Sequence, residues 1–388
     1  MYVIGTLLTV FPMLVTYHWA NRSFPWLGRR PKWMACLLVG CLVANAVLRS
    51  LVVSGFGAVA GHPQIVAILV LTAIDLTSVP LAALGALTWA CARARRARRP
   101  PAPSTVPPDG LTRRQLVEGT GGLALWGATG SLLGWGAIRG RHAFQLREFP
   151  VRIAGLPRAL DGYVIAQVSD IHTGIYVGER ELDEGLALVR AVRPDLVVVT
   201  GDLVDFDSTY APLVARRLAD LPSRDGVAAI LGNHDYYTGA ARVAAAMRAA
   251  GLRMLVNEGC VIRPGDGGGF ALLGVDDLAA SRYRGDGPLL DRALKDVPPE
   301  IPRVLLSHQP HTVDRWPGRA ALQLSGHTHG GQINPAGLRF ADLLFRYVAG
   351  PYSVGGTTLY VNSGFGTVGP PTRVDAPPEV TRIVLVAA

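Results

Sequence analysis

Leu196-Val197-Val198-Val199 is an apolar run followed by Thr200-Gly201-Asp202-Leu203-Val204-Asp205. A short valine-rich run closed by a glycine turn reads as a fully buried strand. The carboxylate just past it stands at the rim of an α/β sheet, where sites are usually built. A single Asp in that position is commonly a helix cap. Four other β-type runs, at 163–168, 227–231, 303–306 and 321–324, end in the same manner. They lead into Asp170-Ile171-His172, Gly232-Asn233-His234-Asp235, Ser307-His308 and Gly326-His327-Thr328-His329. Five strand ends that each carry metal-ligand side chains are hard to produce by chance. They make Asp202 the centre of a two-metal site.

Two divalent ions held close together need mixed oxygen and nitrogen ligands and one shared carboxylate. Asp170 and His172 are two apart, so both can face one ion from a turn. Asp202 can bridge. Asn233 offers an amide oxygen, which leaves its ion a stronger Lewis acid than an all-anionic set would. His327 and His329 straddle Thr328, so they share a face in extended chain or take one ion each. Any one of these histidines is equally well an ordinary core-edge residue, and the joint pattern carries the argument. Five of the nine histidines sit at such strand ends beside Asp or Asn.

The first part of the 388-residue chain is of another kind. Apolar segments at 2–20, 33–56, 65–90 and 119–138 each reach the roughly 20 residues needed to cross a bilayer. Buried core helices are the alternative, and the glycine-rich fourth segment is alternatively a cleavable or interfacial one. Residues 1–150 hold 15 Lys and Arg against 4 Asp and Glu, whereas the rest holds 23 against 25. The overall charge of +9 therefore belongs to the N-terminal part. It gives no reason to expect nucleic acid as a partner.

The basic links, at 21–32 and 93–114, place the N-terminus outside and the chain after about 140 on the extracytoplasmic side. Arg49 and Asp75 fall inside apolar segments and are read as a snorkelling or paired couple rather than a relay. The organisation expected is three transmembrane helices over 1–92 and a basic, Pro-rich cytoplasmic linker over 93–115. A fourth transmembrane or twin-arginine-like segment follows over 116–140, opened by Arg113-Arg114. The soluble α/β domain then runs over 144–388, with helical stretches at 179–192 and 238–250.

The order Asp-x-His, Gly-Asp-x-x-Asp, Gly-Asn-His-Asp, a lone His and Gly-His-Thr-His resembles the calcineurin-like metallophosphoesterase superfamily. Gly326-His327-Thr328-His329-Gly330-Gly331-Gln332 is similar to the branch of membrane-linked or exported bacterial phosphoesterases. So is the tail from Tyr360-Val361-Asn362-Ser363-Gly364-Phe365-Gly366 through Pro377-Pro378-Glu379. The resemblance covers about 144–388. It implies an α/β fold, a four-layer α/β/β/α sandwich, here preceded by an all-helical transmembrane region.

It also implies two divalent ions, drawn from Mn, Fe, Zn or Mg. One would be held by Asp170, His172, Asp202 and His329, the other by Asp202, Asn233, His308 and His327. His234, oriented by Asp235, would be the general acid, and a metal-bridging hydroxide the nucleophile. The implied protein is a multi-pass cell-membrane phosphoesterase. The alternatives are a catalytically inactive metal-binding module, and a sensor or transporter with an appended enzyme domain.

Residues 338–348 crowd Leu338, Phe340, Leu343, Leu344, Phe345, Tyr347 and Val348 directly after two expected ligands. One reading packs this segment on the sheet as core. The other turns it toward a membrane or a lipid tail, with Arg339 and Arg346 near head-group phosphates and an amphiphilic or lipid-linked substrate.

Overall fold

The computed structural model describes residues 2–24, 62–98, 111–262, 268–283 and 285–388, with positions 36, 39, 40 and 43. The chain divides into two compact units, Met1–Gly134 and Trp135–Ala388. The second unit thus starts within a helix, upstream of the boundary expected at 144.

The first unit is built on α1 (Tyr2–Ser23), α2 (His62–Arg98) and α3 (Arg113–Ile138). The segments expected to span at 2–20, 65–90 and 119–138 lie on these helices. The segment at 33–56 and Arg49 lie outside the described residues apart from four positions. Among the described residues one helix stretch, Thr72–Ala94, is long and apolar enough to cross a membrane, with a mean hydropathy of 1.4. The arginines at 93–98 were expected in a linker, but they continue α2. Ala and Arg are strong helix formers, and no proline intervenes before Pro100. Glu118 in α3 accepts from Arg22 and Arg114 at 2.8 Å each, while Trp19 Nε1 donates to its carbonyl at 2.8 Å. This cluster ties α1 to α3.

In the second unit β1 (Gln145–Ile153) and β2 (Tyr163–Val168) precede α4 (Glu179–Val192), β3 (Leu196–Thr200) and α5 (Ala211–Ala219). Then come β4 (Val227–Ile230), α6 (Asn233–Thr238), α7 (Ala240–Ala249), β5 (Arg253–Met254) and β6 (Glu258–Ile262). The continuous helix expected over 238–250 is broken at Gly239, whose φ of +113° no helix accommodates. Next are β7 (Phe270–Gly274), α8 (Leu290–Ala293), β8 (Arg303–Leu306) and β9 (Leu322–Ser325). The chain closes with β10 (Gly350–Val354), β11 (Thr357–Val361) and β12 (Glu379–Ala387).

Two six-stranded sheets result, ordered β1-β12-β2-β3-β4-β5 and β10-β11-β9-β8-β7-β6. Strands β2 to β5 are mutually parallel, as are β7, β8, β9 and β11, while the C-terminal β12 runs antiparallel to β2. Because side chains alternate along a strand, each central strand feeds two cores. Ile165, Leu196, Val198 and Ile230 of the first sheet pack against Phe270, Leu272, Val304 and Leu324 of the second. The opposite faces of β2 and β3 meet Leu182, Leu186 and Val189 of α4, Val214 of α5 and Met247 of α7. Ala271 and Leu273 take Leu290 and Ala293 of α8 on the other side. The layers are helix, sheet, sheet and a thinner helical layer. Strands buried on both faces explain the near-continuous valine and leucine runs of the sequence.

Candidate metal centre

The carboxyl ends of β2, β3, β4, β8 and β9 project their following loops into one place. The loops are laced to one another first by backbone. Asp170 N donates to Gly201 O and His172 N to Asp202 O, both at 3.0 Å. Asp170, His172, Asp202, His327 and His329 all take positive φ, between 52° and 76°. Such conformations cost of order 1–3 kcal/mol each and persist only where the surroundings over-determine them. Here they turn successive side chains inward. Glycine is needed at Gly326, because a Cβ there would run into Ser169 and the Asp170 carboxylate.

The described side chains form three candidate ligand groups; one, His172 with Asp205 and His234, includes the expected proton donor, and the other two carry the expected ligands. Asp170, His172 and His329 offer ligand atoms within 4.8 Å of one another. Nε2 of His172 lies 3.0 Å from Nε2 of His329, which lies 3.5 Å from Asp170 Oδ1. Asp202, His308 and His327 form the second group. His308 Nε2 sits 3.2 Å from Asp202 Oδ2, 3.2 Å from His327 Nδ1 and 3.1 Å from Asn233 Oδ1. Asp202 Oδ2 also lies 3.5 Å from His172 Nε2, so this one carboxylate faces both groups. Its other oxygen accepts from His234 N at 2.8 Å, which fixes the plane of the carboxylate.

The electron pairs show what these groups can hold. His308 Nδ1 donates to Thr200 O at 2.8 Å, which fixes the ring and aims Nε2 into the centre. Nε2 faces a carboxylate, an amide oxygen and a second imidazole. Burial pulls the His308 pKa down, but the Asp202 charge holds it well above the ordinary imidazole range, so a proton stands where a cation would. Burial together with the His308 charge pulls His327 down to about 3, so its ring is neutral. Burial, and then the His172 imidazole beside it, hold His329 well below the ordinary imidazole range. Neutral imidazoles and carboxylates aimed at one another repel unless positive charge stands between them, here the proton on His308 and, when metal binds, a divalent cation in its place. This mixed nitrogen and oxygen set fits two divalent ions.

His234 lies against the first group, its ring 4.6 Å from that of His172. Its partner differs from the one expected. Asp235 was expected to orient His234, but its carboxylate accepts instead from Gly232 N (2.9 Å), Leu203 N (3.0 Å) and Val204 N (3.2 Å). It pins the loop after β4 to the loop after β3. Asp235 is one residue from His234 at the start of α6, so the two side chains diverge. Asp205 takes the orienting place, with Oδ1 3.1 Å from His234 Nδ1. Burial pulls the His234 pKa down, but the charges of Asp202 and Asp205 outweigh it and raise it to about 9.

Other residues of the centre escaped the sequence. Arg373 is fully buried and donates to the carbonyls of Ser363, Gly364, Ala376 and Gly366, with Nη2 3.2 Å from His329 Nδ1. No strand end or motif marks it. Asp205 could have been found, because it completes Gly201-Asp202-x-x-Asp205 at a spacing already noted.

Residues 338–345 settle the choice between core and surface. Leu343 and Leu344 are 83% and 81% exposed, and Leu338, Phe340 and Phe345 are exposed too. Only Tyr347 and Val348 of the apolar stretch are buried. The Phe345 ring stands 6.1 Å from that of His327, nearly perpendicular to it.

Comparison with known proteins identifies the family of this domain. Residues 163–331 match the family model for calcineurin-like phosphoesterases. A cattle transmembrane protein with metallophosphoesterase domain is 36% identical over 258 residues, covering 62% of this chain and 56% of that protein. Its zebrafish counterpart by name is 34% identical over 268 residues, covering 66% of this chain and 61% of its own length. The chain thus spans little more than half of these two relatives. The metallophosphoesterase YkuE of Bacillus subtilis strain 168 is 31% identical over 287 residues, covering 71% of this chain and 98% of YkuE. This chain belongs to the calcineurin-like metallophosphoesterase family.

Proposed function

We propose that this protein is a membrane-anchored phosphoesterase that uses two divalent cations to hydrolyse an amphiphilic phosphoester. Proteins of this family use a dinuclear divalent metal centre. In this reading Asp170, His172, Asp202 and His329 hold one ion, and Asp202, Asn233, His308 and His327 hold the other. Bound there, two cations would neutralise phosphoryl oxygens and make a water acidic enough to ionise near neutral pH. The chain's own residues do the rest. Asp205 sets the His234 ring, and His234 gives a proton to the departing oxygen. Asp235 holds the Asp202 and Asn233 loops in register through three backbone amides.

Anchoring is supported by the apolar stretch Thr72–Ala94 and by the transmembrane names of the cattle and zebrafish relatives. The basic links at 21–32 and 93–114 support a multi-pass anchor with the enzyme domain on the extracytoplasmic side. Reporter fusions after residue 150 should then be active outside the cytoplasm, and activity confined to the cytoplasm would reverse that orientation.

The substrate reading is carried by Leu343 and Leu344, exposed on a segment whose Phe345 touches the centre's edge. An exposed cluster of large apolar residues marks an interaction surface. Arg339 and Arg346 flank it, paired to Asp342 at 3.3 Å and Asp314 at 3.4 Å, with Arg346 also lying over the Tyr347 ring at 5.2 Å. Such surface pairs are worth at most about 1 kcal/mol, so either arginine can exchange its partner for a head-group phosphate. Full-length protein in detergent should lose far more activity on a long-chain phosphoester than on a nitrophenyl ester when Leu344 and Phe345 become Ser. Equal losses would leave a water-soluble substrate.

A further inference from the structure

The two flanks of the centre offer different chemistry. Aromatic rings stand over His234, with those of Tyr237 and Phe206 each at 5.1 Å. Tyr283 extends the wall, its ring 6.0 Å from Tyr237 and 6.2 Å from Tyr236. Tyr237 and Tyr283 are 47% and 49% exposed, so both present ring faces to a ligand. Next to this wall opens a cleft whose lining includes Tyr236, Asn257, Asp276, Tyr283, Asp286 and Arg292. Tyrosine faces beside carboxylates and a guanidinium suit a hydroxylated group such as a polyol or sugar. On the flank of His327 the neighbour is Phe345, followed outward by Leu344 and Leu343. That surface suits hydrocarbon.

His234 marks the flank on which the departing oxygen receives its proton. The group that leaves therefore packs against the tyrosines, and the group that stays on phosphorus lies along the leucines. We infer that the substrate is a lipid phosphodiester laid across the centre, with its tail on 338–345 and its polar alcohol against Tyr237 and Tyr283. Hydrolysis then releases the polar alcohol and leaves the phosphate on the lipid. The oxygen of water joins phosphorus as the bond from phosphorus to the head-group oxygen breaks. The bonding pair stays with that oxygen, which takes its proton from His234, and the proton lost by water restores His234. The assignment rests on the amphiphilic substrate proposed above and adds which ester bond is cut.

Full-length protein in mixed micelles containing phosphatidylglycerol, supplied with Mn or Zn and ¹⁸O-water, tests it by mass spectrometry of the products. Labelled phosphatidate and free glycerol are expected. Diacylglycerol with labelled glycerol phosphate would overturn the orientation and leave the amphiphilic reading standing. A soluble diester, bis(4-nitrophenyl) phosphate, runs in parallel. Its hydrolysis without any cleavage of the lipid would overturn both, as would hydrolysis of neither. The wild type should also prefer phosphatidylglycerol to phosphatidylmethanol, about threefold to tenfold for one aromatic contact. Tyr283→Ala should erase that preference. Equal rates on the two lipids in the wild type, or an unaltered preference in the variant, would remove the tyrosines from the head-group site and overturn the assignment.

Discussion

The metal centre and the 338–345 segment reverse the usual distribution of side chains. Asp170, His172, Asp202 and His308, which water would solvate well, are buried almost completely. Leu343 and Leu344, which water solvates poorly, are out in solvent. Buried polar groups and exposed large apolar patches are the informative departures from ordinary folding. Neither arrangement helps the domain to fold. Crowding carboxylates and imidazoles costs desolvation and repulsion, and Asp170, His172, Asp202, His327 and His329 carry unfavourable backbone besides. Both departures make sense when each region awaits a partner, cations in one case and the proposed lipid in the other.

The comparison breaks most completely at Asp202. Its carboxylate faces both ligand groups, so Asp202→Asn should abolish hydrolysis and lower the bound metal below two ions. Normal turnover with two ions in that variant, by metal analysis, would show that the groups are independent of it. His234→Ala is the next largest effect. It should retain both metals and slow turnover by about 10²–10⁴-fold on alkyl esters. The loss should shrink on nitrophenyl esters, whose leaving groups need no proton. An equal loss on both would give His234 a different task.

On the other side of the comparison, Leu343→Ser with Leu344→Ser should leave nitrophenyl ester hydrolysis near its starting rate. Binding to lipid vesicles should fall by about tenfold or more, since each buried side chain is worth about 1.5–3 kcal/mol. Unchanged vesicle binding, with circular dichroism also unchanged, would return the segment to a structural role.

The smallest effect expected is a shift in pH profile. Asp205 raises the His234 pKa, so Asp205→Asn should lower it, and the protonated acid is then lost at lower pH. The alkaline limb of kcat should move down by about one unit. Bound cations oppose the same elevation, so the limb of the loaded wild type should lie below 9, the value raised by Asp202 and Asp205 alone. A limb that stays in place in the variant would separate Asp205 from the proton donor.

What could be read from the sequence follows from how local each signal is. A central strand buried on both faces leaves a contiguous apolar run, and its ligand follows within a few residues. That is why β2, β3, β4, β8 and β9 and the residues after them were legible one by one. Asp235 was given the orienting role by the resemblance alone, whereas the first turn of α6 sends its carboxylate to three backbone amides. Arg373 was invisible because it reaches His329 from a loop 44 residues away, with no periodic pattern to announce it. The segment at 338–345 was ambiguous because an apolar run states a need for cover without naming the cover. Only its exposure decides against core. In the helical unit, Glu118 was overlooked because an acidic residue at the start of an apolar run looks like a solvated end, and here Arg22 and Arg114 hold it.

The central claim is that seven side chains from five strand ends bind two cations that the chemistry requires. The direct measurement is metal content of the purified full-length protein by mass spectrometry, taken alongside hydrolysis of bis(4-nitrophenyl) phosphate through a chelation and reloading series. Two divalent ions per chain should be found, with activity lost on chelation and regained as the second ion returns. Full activity in protein that carries no metal, or saturation at one ion with no change when a second is added, would contradict the account.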